Sequence, residues 1–195
     1  VPDNLQGWTC HGGANDGVIG WLTLNQNHPN TQGSTGDDNR RVVAAAIVAA
    51  DPYINFGSYD TNRDSYVDST ELALVVIPAG YETAYGGPYS AGAPSVWGHK
   101  WALGWGAVLA PVADGVYVGH YHNDKGGYAQ FGEIHGYGAP YSDHQATLGI
   151  MAHELGHLIM KWPDLYDTDG SSAGLGSWSL MSGGSSAWKS EDAYQ

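Results

Sequence analysis

Two stretches of the chain are expected as helices, one as a capped apolar run and one by the three- and four-residue spacing of its apolar residues. The first is the run RRVVAAAIVAA, from Arg40 to about Asp51, with Asp37, Asp38 and Asn39 as candidate caps at its start. The second runs from His144 to Met160, where Leu148, Met151, Leu155 and Leu158-Ile159 repeat on one face. Other segments have strand character. Val18–Leu24 (VIGWLTL) reads as a strand, and Leu72–Ile77 (LALVVI) is a continuous apolar run stopped by Pro78, the pattern of a buried central strand. Gly115–His122 and Tyr128–Ile134 are expected as strands joined by the turn Asn123-Asp124-Lys125-Gly126-Gly127. Gly80–Gly106 is aromatic and glycine-rich and gives no assignable period. The segments Asn25–Asn39 and Pro163–Gln195 are turn-rich.

Composition narrows this picture. The chain has 195 residues, 42% of them hydrophobic, which suffices for one domain with a sizeable core. No repeat or linker divides it, so a single domain spanning 1–195 is expected. Charged residues are only 14%, against 29 Gly, 13 Tyr and 8 Trp, so long loops are expected to expose aromatic groups. The net charge is −13, from 20 acidic and 7 basic side chains. Such a surface repels nucleic acid. It suits a solvated extracellular protein, and clustered carboxylates suit hard cations such as calcium, although solubility alone accounts for the charge equally well. Cys10 is the only cysteine, so no intrachain disulfide can form. The longest apolar run, Val42–Ala50, is far short of a membrane span, so no membrane insertion is expected. Val1 opens no charged and apolar leader pattern, and a secreted product already trimmed at its start is the expectation.

The chemistry lies in HELGH, His153–His157, inside the second helical stretch. Residues four apart share a helix face about 6 Å apart along the axis, so two imidazoles can grip one ion. Glu154 follows the first histidine and can reach a water polarised by that ion. Zinc lowers the pKa of such a water to about 7, and the carboxylate takes its proton as it attacks a carbonyl. Gly156 in mid-helix costs about 1 kcal/mol against alanine and implies the close approach of another backbone. Asp164, Asp167 and Asp169 follow as an acidic cluster that can supply a third protein ligand.

The segment PDLYDTDGSS…GLGSWSLMSGGS, Pro163–Ser185 with a gap at Ala173, closely resembles the immune inhibitor A family of secreted bacterial metallopeptidases. The resemblance implies that His153, His157 and Asp164 ligate zinc, that Glu154 is the general base, and that Met181 marks a methionine turn beneath the metal, as in the wider metzincin clan. The spacing departs from that clan in one respect. H-E-x-x-H-x-x-G-x-x-H/D would put glycine at Met160 and the ligand at Pro163, so LIMKWP carries one extra residue. Asp167 is therefore kept as the alternative ligand; otherwise Asp167 and Asp169 form a turn or a second calcium site.

A second motif, DTNRDSYVDSTE from Asp60 to Glu71, fits the EF-hand loop. Asp60, Asn62, Asp64 and Asp68 take positions one, three, five and nine, Tyr66 offers its carbonyl, and Glu71 is the bidentate last ligand. Ser65 stands at position six where glycine is usual, a strain of about 1 kcal/mol, and Val67 is the apolar plug. A loop held between a helix and a strand is expected to act as a structural staple. The same stretch, YDTN-D-YVD, resembles the matching region of the immune inhibitor A family.

VWGHKW, Val96–Trp101, and the strand holding Glu133 also resemble family segments. In this clan an edge strand pairs with substrate above the zinc, and Tyr128–Ile134 is the candidate. His99, His120, His122, His135 and His144 lack ligand spacing and are expected to be structural, and the tryptophans to be packing residues. The fold class expected is α+β and metzincin-like: a twisted mixed sheet, a backing helix near Arg40–Asp51, the HExxH helix and the methionine turn. The function expected is that of a secreted, calcium-stabilised zinc endopeptidase acting on protein or peptide substrates. The alternative is a calcium-stabilised surface or adhesion module with a non-catalytic zinc site, against which Glu154 argues, since such a site needs no base. Few residues follow Met181, and SSAWKSEDAYQ is short and polar. A C-terminal fragment of the same precursor is therefore expected to complete the domain.

Overall fold

The computed structural model describes residues 18–32, 34, 36–85, 93–136, 143–172 and 174–184. Cys10 and the segment after Gly184 lie outside these residues. The first helix, α1, spans Asp37–Ala50, as its apolar run predicts. Val43, Ile47 and Ala50 lie buried along one stripe and meet Phe56, Val67, Leu103, Val118 and Tyr128 in the main core. None of the expected caps serves: Gly36 holds the cap position without a side-chain bond. Asp37 and Asp38 lie inside the first turn, where carboxylates favour the helix dipole. Asn39 is fully buried instead. Its Oδ1 accepts from Thr31 Oγ1 at 2.9 Å and Gln130 Nε2 at 2.8 Å, and its Nδ2 donates to Ser34 O at 2.5 Å. A buried amide is tolerated only when satisfied in this way, and here it ties α1 to the sheet.

The strands are short and form several small sheets of mixed direction. Tyr128–Gln130 lies between Leu74–Val76, parallel to it, and His99–Trp101, antiparallel to it. A four-stranded sheet orders His144–Gln145, Ile134–His135, Tyr81–Glu82 and Ser95–Val96. A third joins Tyr66–Val67 to Val116–Val118 and Val112–Ala113. The architecture is thus mixed α+β.

Several sequence expectations are corrected. Val18–Leu24 forms no strand; Ile19 and Leu22 pack on the core from a loop, so their apolar character reflects burial without a ladder. Leu74–Val76 is an edge, half-buried strand, not a central one. Gly115–His122 and Tyr128–Ile134 do not form one hairpin. The hairpin is Tyr121–His122 with Lys125–Gly126, closed by Asn123 and Asp124 at φ +49° and +59°, the two left-handed residues of a type I′ turn.

The second helix, α2, spans Leu148–Met160 and so contains HELGH. It starts four residues later than the spacing predicts, because His144–Gln145 is claimed by Ile134–His135 as a sheet partner. Gly156 does make a close approach, but to side chains instead of backbone. A Cβ there would lie 2.7 Å from Met181 Sδ and 3.3 Å from the Trp162 ring. Met181, itself buried, sits in a turn at Leu180–Gly184 against this face of the helix. Among the described residues, no helix is long and apolar enough to cross a membrane.

Candidate metal centre

His153 and His157 leave α2 on one face, and the chain after the helix brings Asp164 back to them. His153 Nε2 lies 3.0 Å from Asp164 Oδ1. His157 Nε2 lies 3.1 Å from that oxygen and 3.1 Å from His153 Nε2. Each ring is turned by its other nitrogen: His153 Nδ1 donates to Leu180 O at 2.9 Å and His157 Nδ1 to Trp162 O at 2.6 Å. A carbonyl oxygen can only accept, so Nδ1 carries the proton and, in the neutral ring, Nε2 carries the lone pair. With both rings neutral, three acceptors face one another, and a cation among them would remove their repulsion.

The donor set fits zinc. Two imidazoles and a carboxylate are the three protein ligands of an open zinc site, and ligands at about 2.1 Å in a tetrahedron stand about 3.4 Å apart. Carbonyls fixing the far ring nitrogens are the usual outer partners of such ligands. Among the described residues this is the one group of three His, Cys, Asp or Glu donors gathered within 4.8 Å.

Asp167 lies outside the group. Its oxygens accept from the backbone N–H of Asp169 and Gly170, both at 3.0 Å, and from that of Ser172. Those N–H groups, Ser172 first, hold its carboxyl down at about 2. Asp169 accepts from Ser171 N, so DTDGSS closes as a turn. Asp167, the alternative ligand, thus has its oxygens bonded within its own loop and stands apart from the group of His153, His157 and Asp164.

Glu154 is buried beside the cluster. Burial pushes its carboxyl up to about 8, the charges of Glu82 and Asp164 add to the rise, and the backbone N–H of Lys100 opposes it. Lys100 belongs to His99–Trp101, so this strand, not Tyr128–Ile134, borders the base. Tyr128–Gln130 is the enclosed middle strand, wholly buried, and cannot be an edge. Glu133 lies at a bend, and its carbonyl accepts from Ala146 N at 2.7 Å.

Sequence reasoning missed Glu82. It is fully buried, and its Oε1 accepts from the N–H of Ala84 and Gly98, each at 2.8 Å, while Oε2 accepts from Gly132 at 2.7 Å. Burial pushes it up to about 7 despite these three donors. Gly98 immediately precedes His99–Trp101, so a carboxylate far away in sequence fixes the start of the strand beside Glu154. No sequence signal marks it: it stands in an aromatic, glycine-rich stretch without a period.

The Asp60–Glu71 loop is turned around its own side chains. Asp60 accepts from Asp64 N and Ser65 N, both at 3.1 Å. Asn62 Oδ1 accepts from Asp64 N at 2.9 Å and Asp64 Oδ1 from Tyr66 N at 2.9 Å. Glu71 closes the ring, with Oε1 accepting from Thr61 N at 2.8 Å and Oε2 from Asp68 N at 3.3 Å. Ser65 does take the left-handed conformation required at position six, φ +69°. The element before the loop is a 3-10 turn, Phe56–Tyr59, where a helix was expected.

The five histidines without ligand spacing make packing contacts. His99 Nδ1 bonds Trp97 O at 2.6 Å, His122 stacks on Tyr66 at 3.8 Å between ring centres, and His120 lies tilted against the same ring. His135 and His144 meet edge to face. The tryptophans are less buried than expected: Trp97, Trp101, Trp105, Trp162 and Trp178 are all exposed.

Comparison with known proteins gives one match. Residues 11–193 match the family described as immune inhibitor A peptidase M6, catalytic domain. No curated protein and no solved structure matches the chain.

Proposed function

The chain belongs to the immune inhibitor A peptidase M6 family, and from that premise we propose that it is a secreted zinc endopeptidase stabilised by calcium. As a peptidase it acts on protein or peptide substrates. The observation that carries the zinc reading is the meeting of His153 Nε2, His157 Nε2 and Asp164 Oδ1. Zinc held there supplies Lewis acidity, which acidifies water and polarises a scissile carbonyl. The protein supplies the rest. Leu180 O and Trp162 O fix the ring tautomers. Glu154 would receive the proton of the attacking water and pass it to the leaving amine. Lys100 N–H steadies the Glu154 carboxylate. His99–Trp101 lies at the end of its sheet and can pair an extended substrate by backbone hydrogen bonds. Met181, packed under Gly156, serves as the methionine turn.

The test is direct. Metal analysis of the purified chain should find one zinc, and unfolded casein should be cut at internal bonds only by the zinc-loaded form. A zinc-loaded protein without proteolysis would overturn the reading.

Asp60, Asn62, Asp64, Tyr66, Asp68 and Glu71 are the proposed calcium ligands, supported by the Ser65 conformation and the ring of side-chain bonds around the loop. A cation bound only by the folded state stabilises it by about 2.7 kcal/mol at a hundredfold excess over Kd. For a domain of this size the melting temperature should rise by about 5–10 °C on adding calcium to the zinc-loaded protein. Asp60→Ala and Glu71→Ala should each abolish the rise. A melting curve indifferent to calcium would leave the loop an acidic turn.

A further inference from the structure

The residue that ends α2 is not the glycine expected of its conformation. Lys161, its C-cap, is left-handed at φ +60° and ψ +24°, which costs an L side chain about 1 kcal/mol or more and is usually left to glycine. The extra residue noted in LIMKWP thereby finds its place. The helix runs on through Met160, and the left-handed turn falls one position later than in H-E-x-x-H-x-x-G.

The lysine side chain makes contacts a glycine could not. Its Nζ donates to Leu158 O at 3.0 Å, closing the end of the helix, and to Ser69 Oγ at 2.9 Å. Ser69 is buried and belongs to Asp60–Glu71, between Asp68 and Glu71. On its other side, the same turn presents Trp162. The Trp162 N–H returns to Gly156 O at 3.2 Å, and its carbonyl accepts from His157 Nδ1 at 2.6 Å. Asp164 follows two residues on. A short path of hydrogen bonds and one turn of backbone therefore joins the acidic loop to two of the three gathered donors.

We propose that Lys161 is a positioning residue that pins the turn holding His157 and Asp164 to Ser69, so that calcium in the Asp60–Glu71 loop tightens zinc binding. This rests on the two metal sites read above. Asp68 and Glu71, if they held calcium, would be fixed together with the backbone between them and so with Ser69. A fixed Ser69 holds the lysine, and the lysine holds the Trp162 carbonyl against His157. Linkage makes the effect reciprocal: zinc must raise calcium affinity by the same factor.

The test uses the metal-free full chain, titrated with zinc in the presence and absence of saturating calcium chloride, with calcium heats measured separately. In the wild type, calcium should raise zinc affinity about tenfold. Lys161→Met should bind zinc about tenfold more weakly, the usual cost of losing an outer partner of a ligand, and calcium should no longer improve it. Its calcium heats should persist. Ser69→Ala should show the same loss of coupling from the other side. Lys161→Gly relieves the backbone strain, so it folds even where Lys161→Met does not. A merely structural role predicts that Lys161→Gly binds zinc as well as the wild type or better; the proposal predicts the same tenfold loss. Wild-type zinc affinity and an unchanged calcium factor in Lys161→Gly overturn it. Absent calcium heats in the wild type would instead sink the calcium reading and the coupling with it, and the zinc-only comparison would then decide the positioning role alone.

Discussion

Glu154→Gln should fold, retain zinc and lose proteolysis by about three orders of magnitude. General acid–base catalysis by one placed side chain contributes about 10²–10⁴-fold, and an amide matches the carboxylate in shape while taking no proton near neutral pH. The carbonyl oxygen of glutamine can still accept the Lys100 N–H that lowers the proton affinity of Glu154, so the strand beside it should not shift. Stability adds a check that does not depend on turnover. In the metal-free protein burial pushes Glu154 up to about 8, far above the unfolded value. The folded state therefore holds a proton that the unfolded state has already released, and stability falls as pH rises from about 4.3 to about 8. Glutamine removes that fall, so metal-free Glu154→Gln should melt no lower than the wild type at pH 8. Near-wild-type proteolysis in the variant would remove Glu154 from the mechanism. Lost zinc would show instead that its charge serves the metal.

What the sequence revealed of this site follows from which contacts are local. His153, Glu154 and His157 share one turn pattern, so their spacing alone announced them. Asp164 was legible only through the resemblance of the segment after the helix, since no periodicity extends across LIMKWP. Leu180 O, Lys100 N–H and Glu82 were not legible at all, because they arrive from distant segments and two of them are backbone atoms. The misplaced edge strand has the same origin. Tyr128–Ile134 was chosen as the edge from the resemblance alone, yet Gln130 is fully buried and bonded to Asn39. His99–Trp101 alternates too briefly within a glycine-rich stretch to stand out. The first helix was predicted from its capped apolar run and the second by periodicity, but their ends were decided by partners: Asn39 turned inward to the sheet, and His144–Gln145 was taken by a neighbouring strand.

The acidity of the chain gives the cation site a second physical basis. Glu154, Glu82 and Asp164 are acidic groups close enough to raise the proton affinity of Glu154 together, and gathering negative charge under low dielectric is costly unless a cation offsets it. Metal binding at the proposed site would then be coupled to folding, as is general where the ligands come together only in the folded chain.

Removing Asp164 is the sharpest test of that coupling, because it separates two aspartates that the sequence alone left as rivals. Asp164→Ala should weaken zinc binding by about two to three orders of magnitude. Zinc sites with four protein ligands are worth about 10–16 kcal/mol, so each ligand carries about 2.5–4 kcal/mol, and every 1.4 kcal/mol is about tenfold in affinity. The two imidazoles that remain still face each other at 3.1 Å, so residual weak binding is expected, with proteolysis lost at limiting zinc. Asp167→Ala should behave otherwise. Its oxygens accept from the N–H groups of Asp169, Gly170 and Ser172, so the variant should open the DTDGSS turn and leave zinc affinity within about threefold of wild type, the spread expected of an indirect effect. The turn is not wholly separate from the site. Leu175 N donates to Leu165 O at 3.0 Å and Leu165 N to Met181 O at 2.6 Å, so the chain flanking Asp164 is held from both sides by backbone bonds that neither substitution removes. Competition of each variant against a zinc-binding dye measures both affinities on one scale. Unchanged affinity in Asp164→Ala together with loss in Asp167→Ala would reverse the assignment of the third ligand.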